Sequence, residues 1–459
     1  MRKTPLKFKL GAAFAGVATL AAYGLAGTPA ASAAQSPFTS HRIKVNPDIV
    51  HVSGNPNAPQ FTCQGRPIDG SQGIVCYDPS QIQQAYGVKP LLDKGKDGTG
   101  RTIVIVDAFQ NPYVAADLAS FDQRFGLPDP IFHNHVMPGT PTFDPNDANQ
   151  VGWGEETTLD VLWAHAIAPG AKIELVSAAS NEDTDILAAT QYAVSNDLGD
   201  VLSQSFGENE NCVDPDLLAA QHDMFAQAKR QGWTVFASSG DSGAAQFTCD
   251  GNGAVQVASN PASDPLVTGV GGTTLNADID GNYQGETAWT EGLFTGCNAP
   301  AVAEDDINCS GGGFSDLYAK PSFQKSMVKG KVGRGVPDIA YNAGVNGGVL
   351  TVCTVCDPST PGSVFLFGGT SAGTPQWAGL TAIADQMAHH RLGGINTALY
   401  SIANSRSKYR SALHDVTTGN NDVSEIGGGY DTRKGWDPVT GLGTPNAAKL
   451  LPLLVHRHH

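Results

Sequence analysis

Ser371 lies in a loop of small residues, 368–375, which ends an apolar run and opens a segment with helical spacing of apolar residues. Small neighbours let a substrate backbone approach the hydroxyl closely. A serine at the amino end of a helix also lies where backbone N–H groups favour developing negative charge. Ser371 is therefore a candidate nucleophile, although a serine that only caps a buried helix gives the same local pattern.

Carboxylates stand where a base for this serine is needed. Glu156 and Asp160 are four residues apart, so in a helix they share one face. Like charges at that spacing slightly destabilise a solvated helix, which indicates a role, although acids near a helix amino end are favourable in themselves. A third acid, Asp241, follows another apolar run.

Three other serine-hydrolase patterns match only in part. Residues 369–373 fit the G-x-S-x-G elbow of α/β-hydrolases, but His414 and Asp415 follow in reversed order. Residues 240–243 imitate a trypsin-like nucleophile segment without its flanking sequence. A subtilisin-type triad needs a histidine at the start of its own helix, whereas His165 lies deep inside an Ala-rich helical segment and is expected to be a packed histidine.

Alternating strands and helices must position these residues. Such alternation predicts one large α/β domain with a mainly parallel central sheet flanked by helices. Functional loops then collect at the carboxyl ends of strands, here after 201–206, 234–237 and 364–367. The sequence predicts strands at 102–106, 172–176, 201–206, 234–237 and 266–270, and helices at 155–168 and 214–231.

Composition limits the classes of partner. With 41% hydrophobic residues the chain can bury a substantial core, and its net charge of −16 opposes electrostatic binding of nucleic acid or of an anionic membrane surface. The basic start, the apolar stretch and Ala31-Ser-Ala33 predict a cleaved signal peptide over 1–33, so we expect a secreted, extracellular protein with no membrane segment in its mature form. Residues 34–76 are predicted to be a short N-terminal arm or pro-region, and 456–459 a tail.

Eight cysteines suit an oxidising compartment, because their number is even and no ligand spacing typical of zinc accompanies them. The sequence does not assign connectivity, but close pairs form the loops that cost least to close. We therefore expect disulfides between Cys63 and Cys76, Cys297 and Cys309, Cys353 and Cys356, and, by remainder, Cys212 and Cys249.

Several motifs in fixed order resemble one family. Glu156-x-x-x-Asp160 comes first, Ser-Ser-Gly-Asp241-x-Gly second, and Gly-Thr-Ser371-Ala-x-x-Pro third. Over residues 77–455 the chain resembles the sedolisins, which are serine-carboxyl peptidases with a subtilisin-like fold. The resemblance implies that this fold is present here as a single domain.

The resemblance also implies a role for each acid. Ser371 would be the nucleophile, Glu156 its general base and acid, Asp160 the partner that orients Glu156, and Asp241 a protonated donor in the oxyanion hole. A histidine is mostly protonated below its pKa of about 6.5, whereas a glutamate with a pKa of about 4.3 still accepts a proton in acid. Such a site would work at low pH.

A second constellation near the carboxyl end contains two acids and several loop carbonyls, a set suited to a hard cation, although ordinary turns have the same composition. The resemblance implies one structural Ca²⁺ held by the side chains of Asp415 and Asp437 and the backbone carbonyls of Val416, Arg433 and Gly435. Position 433 is Arg where the family commonly has Gly, so its carbonyl can bind only if the backbone there needs no positive φ.

Two further departures from the family pattern concern the substrate. Phe206 stands where the family often has Trp, and 34–76 is shorter than the usual pro-segment. We expect a monomeric, acid-acting endopeptidase that cleaves proteins or peptides. Tripeptidyl-peptidase action and a non-catalytic binding protein on the same scaffold are the alternatives.

Overall fold

In the computed structural model of the chain, residues 39–45, 49–52, 60–68, 71–291, 308–423 and 426–456 are described. The predicted signal peptide, Cys297 and residues 457–459 lie outside this part. The span Phe38–His459 forms one compact unit.

The helix predicted at 214–231 is observed as Pro215–Arg230, whereas the one predicted at 155–168 begins earlier, at Ala148. Most helices of the described residues begin after a polar residue. Asp147 caps α4 by accepting a hydrogen bond from the N–H of Asn149, and Asp214 caps α6. The helices are α1 Pro79–Ala85, α2 Lys89–Leu92, α3 Val114–Phe125, α4 Ala148–Ile167, α5 Asp183–Ser195, α6 Pro215–Arg230, α7 Thr370–Ala388, α8 Asn396–Ala403, α9 Arg406–Ala412 and α10 Ala447–Val455.

The strands are short and mostly buried, as apolar β-branched runs predict. They are β1 Ile49–His51, β2 Cys76–Tyr77, β3 Thr102–Ala108, β4 Ile131–Val136, β5 Lys172–Ala178, β6 Val201–Gln204, β7 Glu208–Asn209, β8 Thr234–Ser238, β9 Gln246–Phe247, β10 Ala254–Val255, β11 Ser259–Asn260, β12 Thr268–Ala277, β13 Tyr283–Ala288, β14 Gly313–Ala319, β15 Gly333–Val336, β16 Ile339–Asn342, β17 Gly348–Val352, β18 Val364–Phe367, β19 Leu413–His414 and β20 Thr444–Pro445.

The central sheet is mainly parallel. Its described strands have the order β13-β12-β8-β6-β3-β5-β4, and β16 also pairs with β12. Every neighbouring pair is parallel except β12 with β13. Apolar side chains of α4 and α7 form one hydrophobic cluster, and those of α5 and α6 form another. The predicted α/β fold with flanking helices is confirmed.

The strand that leads to Ser371 belongs to a different sheet. β18 lies in a four-stranded sheet of order β1-β18-β17-β2 and is antiparallel to both β1 and β17. The expectation that all three functional loops follow strands of the central sheet is therefore wrong for 364–367. The apolar run looks the same in either sheet, because both bury it completely.

Close packing fixes α4, which carries the two acids, against α7, which carries the serine. A Cβ added at Gly379 of α7 would lie 2.9 Å from Cβ of Ile167 and 3.3 Å from the carbonyl O of Ala164 on α4. A side chain at position 379 would push the helices apart. The glycine thus sets the distance between the two functional elements.

Three of the four predicted disulfides are formed in the described residues, namely Cys63–Cys76, Cys212–Cys249 and Cys353–Cys356. The fourth involves Cys297, which lies outside them.

His165 is fully buried, with Nε2 3.0 Å from the carbonyl O of Pro128 and 3.2 Å from Asp122 Oδ1, so it is a packed histidine as expected. Within the described chain no helix has both the length and the apolarity that crossing a bilayer requires.

Candidate active site

The acids of α4 point into the protein. Glu156 is 1% exposed and Asp160 is fully buried. Their spacing of four residues places both on the helix face that meets α7 and the ends of the central strands. The sequence predicted the shared face, and the structure shows that this face is the buried one.

Ser371 occupies the first turn of α7, and Ser205 after β6 connects it with Asp160. The Ser371 hydroxyl donates to the carbonyl O of Ser205 at 3.2 Å. The Ser205 hydroxyl donates to Asp160 Oδ1 at 2.7 Å and lies 3.5 Å from the carbonyl O of Ser371. Pro375 has no N–H, so the Ser371 carbonyl lacks its usual helical donor and is open to this contact.

Glu156 also interacts with the Ser371 hydroxyl. Burial, followed by the charge of Asp107, raises the pKa of Glu156 well above its usual value, while the hydrogen bond with Ser371 opposes the rise. The hydroxyl has one hydrogen, which either Glu156 or the Ser205 carbonyl can accept. Shifting it from the carbonyl to the carboxylate is the movement that a general base needs.

Asp107, at the end of β3, is the acid that sequence reasoning missed. It is fully buried, and burial raises its pKa to about 7. Burial, and then the charges of Asp107 and Glu156, also raise the pKa of Asp160. The available signal was a carboxylate inside the apolar run Thr-Ile-Val-Ile-Val-Asp-Ala.

Asp241 follows β8 and meets the start of α7. Its Oδ1 accepts hydrogen bonds from the N–H and the hydroxyl of Thr370, at 2.8 Å and 2.7 Å. Burial raises the pKa of Asp241, and the bonds from Thr370 oppose that rise. A raised pKa favours the protonated carboxyl that the oxyanion role requires.

One cleft of about 400 Å³ joins these groups. Glu156, Asp241 and Ser371 line it together, while Asp160 lies behind them and reaches them through Ser205. The three acids and the serine predicted for chemistry are thus brought to one place. Phe206, the departure from the family pattern, also lines the cleft and contacts Trp153 with ring centroids 5.7 Å apart.

The second predicted constellation is also brought together. Asp415 Oδ1 accepts from the N–H of Gly435 at 3.0 Å, and Asp437 Oδ2 accepts from the N–H of Arg433 at 3.0 Å. The backbone at Arg433 does not have a positive φ. Its carbonyl group therefore meets the condition for binding a cation that the sequence analysis stated. Val416 is buried beside Asp415. Among the described residues no group of three or more His, Cys, Asp or Glu side chains is placed to hold a metal.

Comparison with known proteins agrees with this geometry. The model of the Subtilase family matches residues 142–414, which include all of the predicted catalytic residues. Kumamolisin of Bacillus sp. (strain MN-32) is 34% identical over 397 residues, covering 84% of this chain and 65% of kumamolisin. Bovine tripeptidyl-peptidase 1 is 27% identical over 430 residues, covering 85% of this chain and 66% of that protein. The chain therefore spans slightly less than two thirds of these curated relatives.

A solved structure of Pseudomonas sedolisin, a serine-carboxyl proteinase complexed with two molecules of pseudo-iodotyrostatin, superposes with a TM-score of 0.70 and 28% identity. The match covers 84% of this chain and all of that one. Fold and site together define a subtilisin-like protein whose serine is surrounded by acids. The chain belongs to the Subtilase family, and within it to the sedolisins, as the ordered motifs indicated.

Gly369 provides a test of the site geometry. It has φ 90°, and an added Cβ would lie 2.7 Å from Asp241 Oδ2. We expect Gly369→Ala to displace Asp241 and lower kcat/KM for a peptide by roughly 10²-fold, the size of a lost oxyanion donor. Gly362→Ala is the control, since Gly362 has φ 79° but no atom within 4 Å of the added Cβ. Equal losses in both variants would contradict this account.

Proposed function

We propose that this protein is a secreted, acid-acting serine-carboxyl endopeptidase that cleaves proteins or peptides through an acyl-enzyme on Ser371. The observation that carries the proposal is the cleft in which Ser371, Glu156 and Asp241 meet. A non-catalytic binding protein on this scaffold would have no need to keep these groups together. Tripeptidyl-peptidase action remains the alternative because several relatives bear that name.

In the first step, Ser371 Oγ attacks the scissile carbonyl carbon while Glu156 takes the hydroxyl proton. Glu156 then gives that proton to the leaving amine, and water reverses the sequence to release the acid. Asp160 would orient Glu156. Ser205 fixes the position of Asp160 through a hydrogen bond of 2.7 Å. Asp107 is a positioning residue, since its charge acts on both acids of α4.

The oxyanion that forms on the substrate needs donors. The protonated carboxyl of Asp241 would donate one hydrogen bond, and the first turn of α7 adds backbone N–H groups and the positive end of its dipole. Hydrogen bonds from the N–H and the hydroxyl of Thr370 to Asp241 join these two sources of donors. No donor has to move before the charge develops.

Ser371→Ala is the direct test of the nucleophile. We expect loss of proteolysis with the fold intact, because the neighbours of Ser371 tolerate a smaller side chain. Incubation with denatured protein at several pH values, followed by mass spectrometry of the products, measures activity and distinguishes internal cleavage from release of tripeptides. Residual activity within about tenfold of the parent, or roughly 1.4 kcal/mol of barrier, would exclude the assignment.

The pH dependence follows from two carboxyl groups with opposite requirements. Glu156 must be ionised, so activity rises as pH increases through its pKa, and Asp241 must be protonated, so activity falls as pH increases through its own. Burial raises both pKa values, which places both limbs above those of ordinary carboxylic acids. The pKa of Glu156 is therefore higher than that of the ordinary glutamate assumed from the sequence.

Asp241→Asn separates the two limbs. The amide keeps a donor and does not ionise, so we expect the alkaline limb of kcat/KM to weaken while the acid limb stays, even if the maximum falls by roughly 10²-fold. Because the acids are coupled, the limbs describe the group and not single residues. An unchanged alkaline limb in a measurable variant would show that Asp241 is not the donor.

One Ca²⁺ is part of the proposal. The carboxylates of Asp415 and Asp437 and the carbonyls of Val416, Arg433 and Gly435 would hold it, and oxygen donors are what this cation takes. The hydrogen bond from the N–H of Gly435 to Asp415 supports the fit, since it brings the 433–437 segment, which contains Asp437, beside Asp415. When bound, the ion would neutralise two carboxylates and tie this segment to the end of β19.

Chelation should lower thermal stability. An ion that binds only the folded state stabilises it, so we expect an extensively metal-stripped sample to melt roughly 5 °C lower or more. Returning Ca²⁺ should restore the melting temperature, and Asp437→Asn should abolish its dependence on added Ca²⁺. A parent whose melting temperature responds to neither treatment would contradict the site.

A further inference from the structure

Glu208 is an acid in the cleft that the mechanism does not use. It lines the same cleft as Ser371 and lies on β7, three residues after Ser205. Three residues of extended chain span roughly 10 Å. Since the Ser205 carbonyl accepts from the Ser371 hydroxyl, the Glu208 side chain lies within two or three substrate residues of the scissile bond.

The backbone at Glu208 is fixed. β7 pairs with β11 in antiparallel register, with Glu208 opposite Asn260 and Asn209 opposite Ser259. The Ser259 hydroxyl also donates to the Glu208 carbonyl O at 3.3 Å. A side chain on such a ladder is held in place before substrate binds, which is what a specificity-determining group requires.

One carboxyl oxygen of Glu208, Oε1, is buried without a hydrogen-bond partner. Burial, and then the charge of Asp183, raises the pKa of Glu208 to about 8. In acid the Glu208 carboxyl group is therefore protonated when it is alone, and a cation placed beside it would favour the ionised carboxylate.

Basic side chains already present in the cleft leave this role open. Arg42 lines the cleft but forms an ion pair with Glu182 at 2.7 Å. Lys44 also lines it and is exposed, yet neither cation contributes to the pKa shift of Glu208. His41, which also lines the cleft, acts on Asp183, and the causes that shift the pKa of Glu208 include none of these three residues. A positive charge delivered by the substrate would therefore supply what they do not.

We propose that Glu208 selects substrates with a lysine or arginine side chain at one position within three residues of the scissile bond. This inference rests on the proposed peptidase function and names the substrate class of that site. The basic side chain pairs with the Glu208 carboxylate. Selection occurs in the cleft, without a change in the chemistry at Ser371.

The experiment begins with cleavage-site profiling of the parent on denatured proteins, which locates any position enriched in Lys or Arg. Two peptides are then made that differ only there, with Lys or norleucine. We expect the parent to prefer the Lys peptide by about tenfold or more in kcat/KM, a difference of roughly 1.4 kcal/mol. Glu208→Gln should reduce that ratio to about threefold or less, and Glu208→Lys should favour Glu at the same position.

Asp250→Asn is the matched control. Asp250 lines the same cleft, but it is exposed and its Oδ1 accepts hydrogen bonds from Thr248 and from the N–H of Asn252. We expect this variant to keep the parental ratio, whereas an equal loss would indicate a general effect of cleft charge and overturn the assignment. Melting temperatures verify that each variant is folded.

The outcomes separate the two proposals. A parent that cleaves no protein at any pH contradicts the proposed function. A parent that cleaves proteins with no enrichment of Lys or Arg contradicts only the role of Glu208. An unchanged ratio in both folded Glu208 variants does the same.

Discussion

The enclosure of four carboxylic acids around one serine hydroxyl is the constraint on which this structure depends. Asp107, Glu156 and Asp160 are almost fully removed from solvent, and Asp241 closes the group from the other side of Ser371. The charges that shift the pKa values of Glu156 and Asp160 are those of other acids. Protons, and not neighbouring cations, must therefore neutralise most of them.

A cluster of this kind needs a stiff frame, because small displacements change how the protons are shared. α4 brings two acids, the ends of β3 and β8 bring the others, and α7 brings the serine. The close contact of Gly379 with Ile167 fixes the two helices, and Ser205 links them at the site itself. The fold thus supplies fixed distances, and the shared protons supply the chemistry.

Much of this arrangement could be predicted from the sequence, because it depends on local patterns. Apolar runs located the strands, and the spacing of Glu156 and Asp160 gave a common helix face. Asp107 was missed because its role arises from a contact between β3 and α4 that no spacing encodes. The raised pKa of Glu156 was missed for a related reason, since burial depends on how elements pack and not on the motif that carries the acid.

The sheet containing β18 has a consequence for the arm. Its two outer strands, β1 and β2, come from residues 49–77, so this segment covers both edges of the sheet that leads to the nucleophile. Exposed strand edges recruit strands from other molecules. Removal of β1 and β2 would leave the outer edges of β18 and β17 unpaired and open to such pairing.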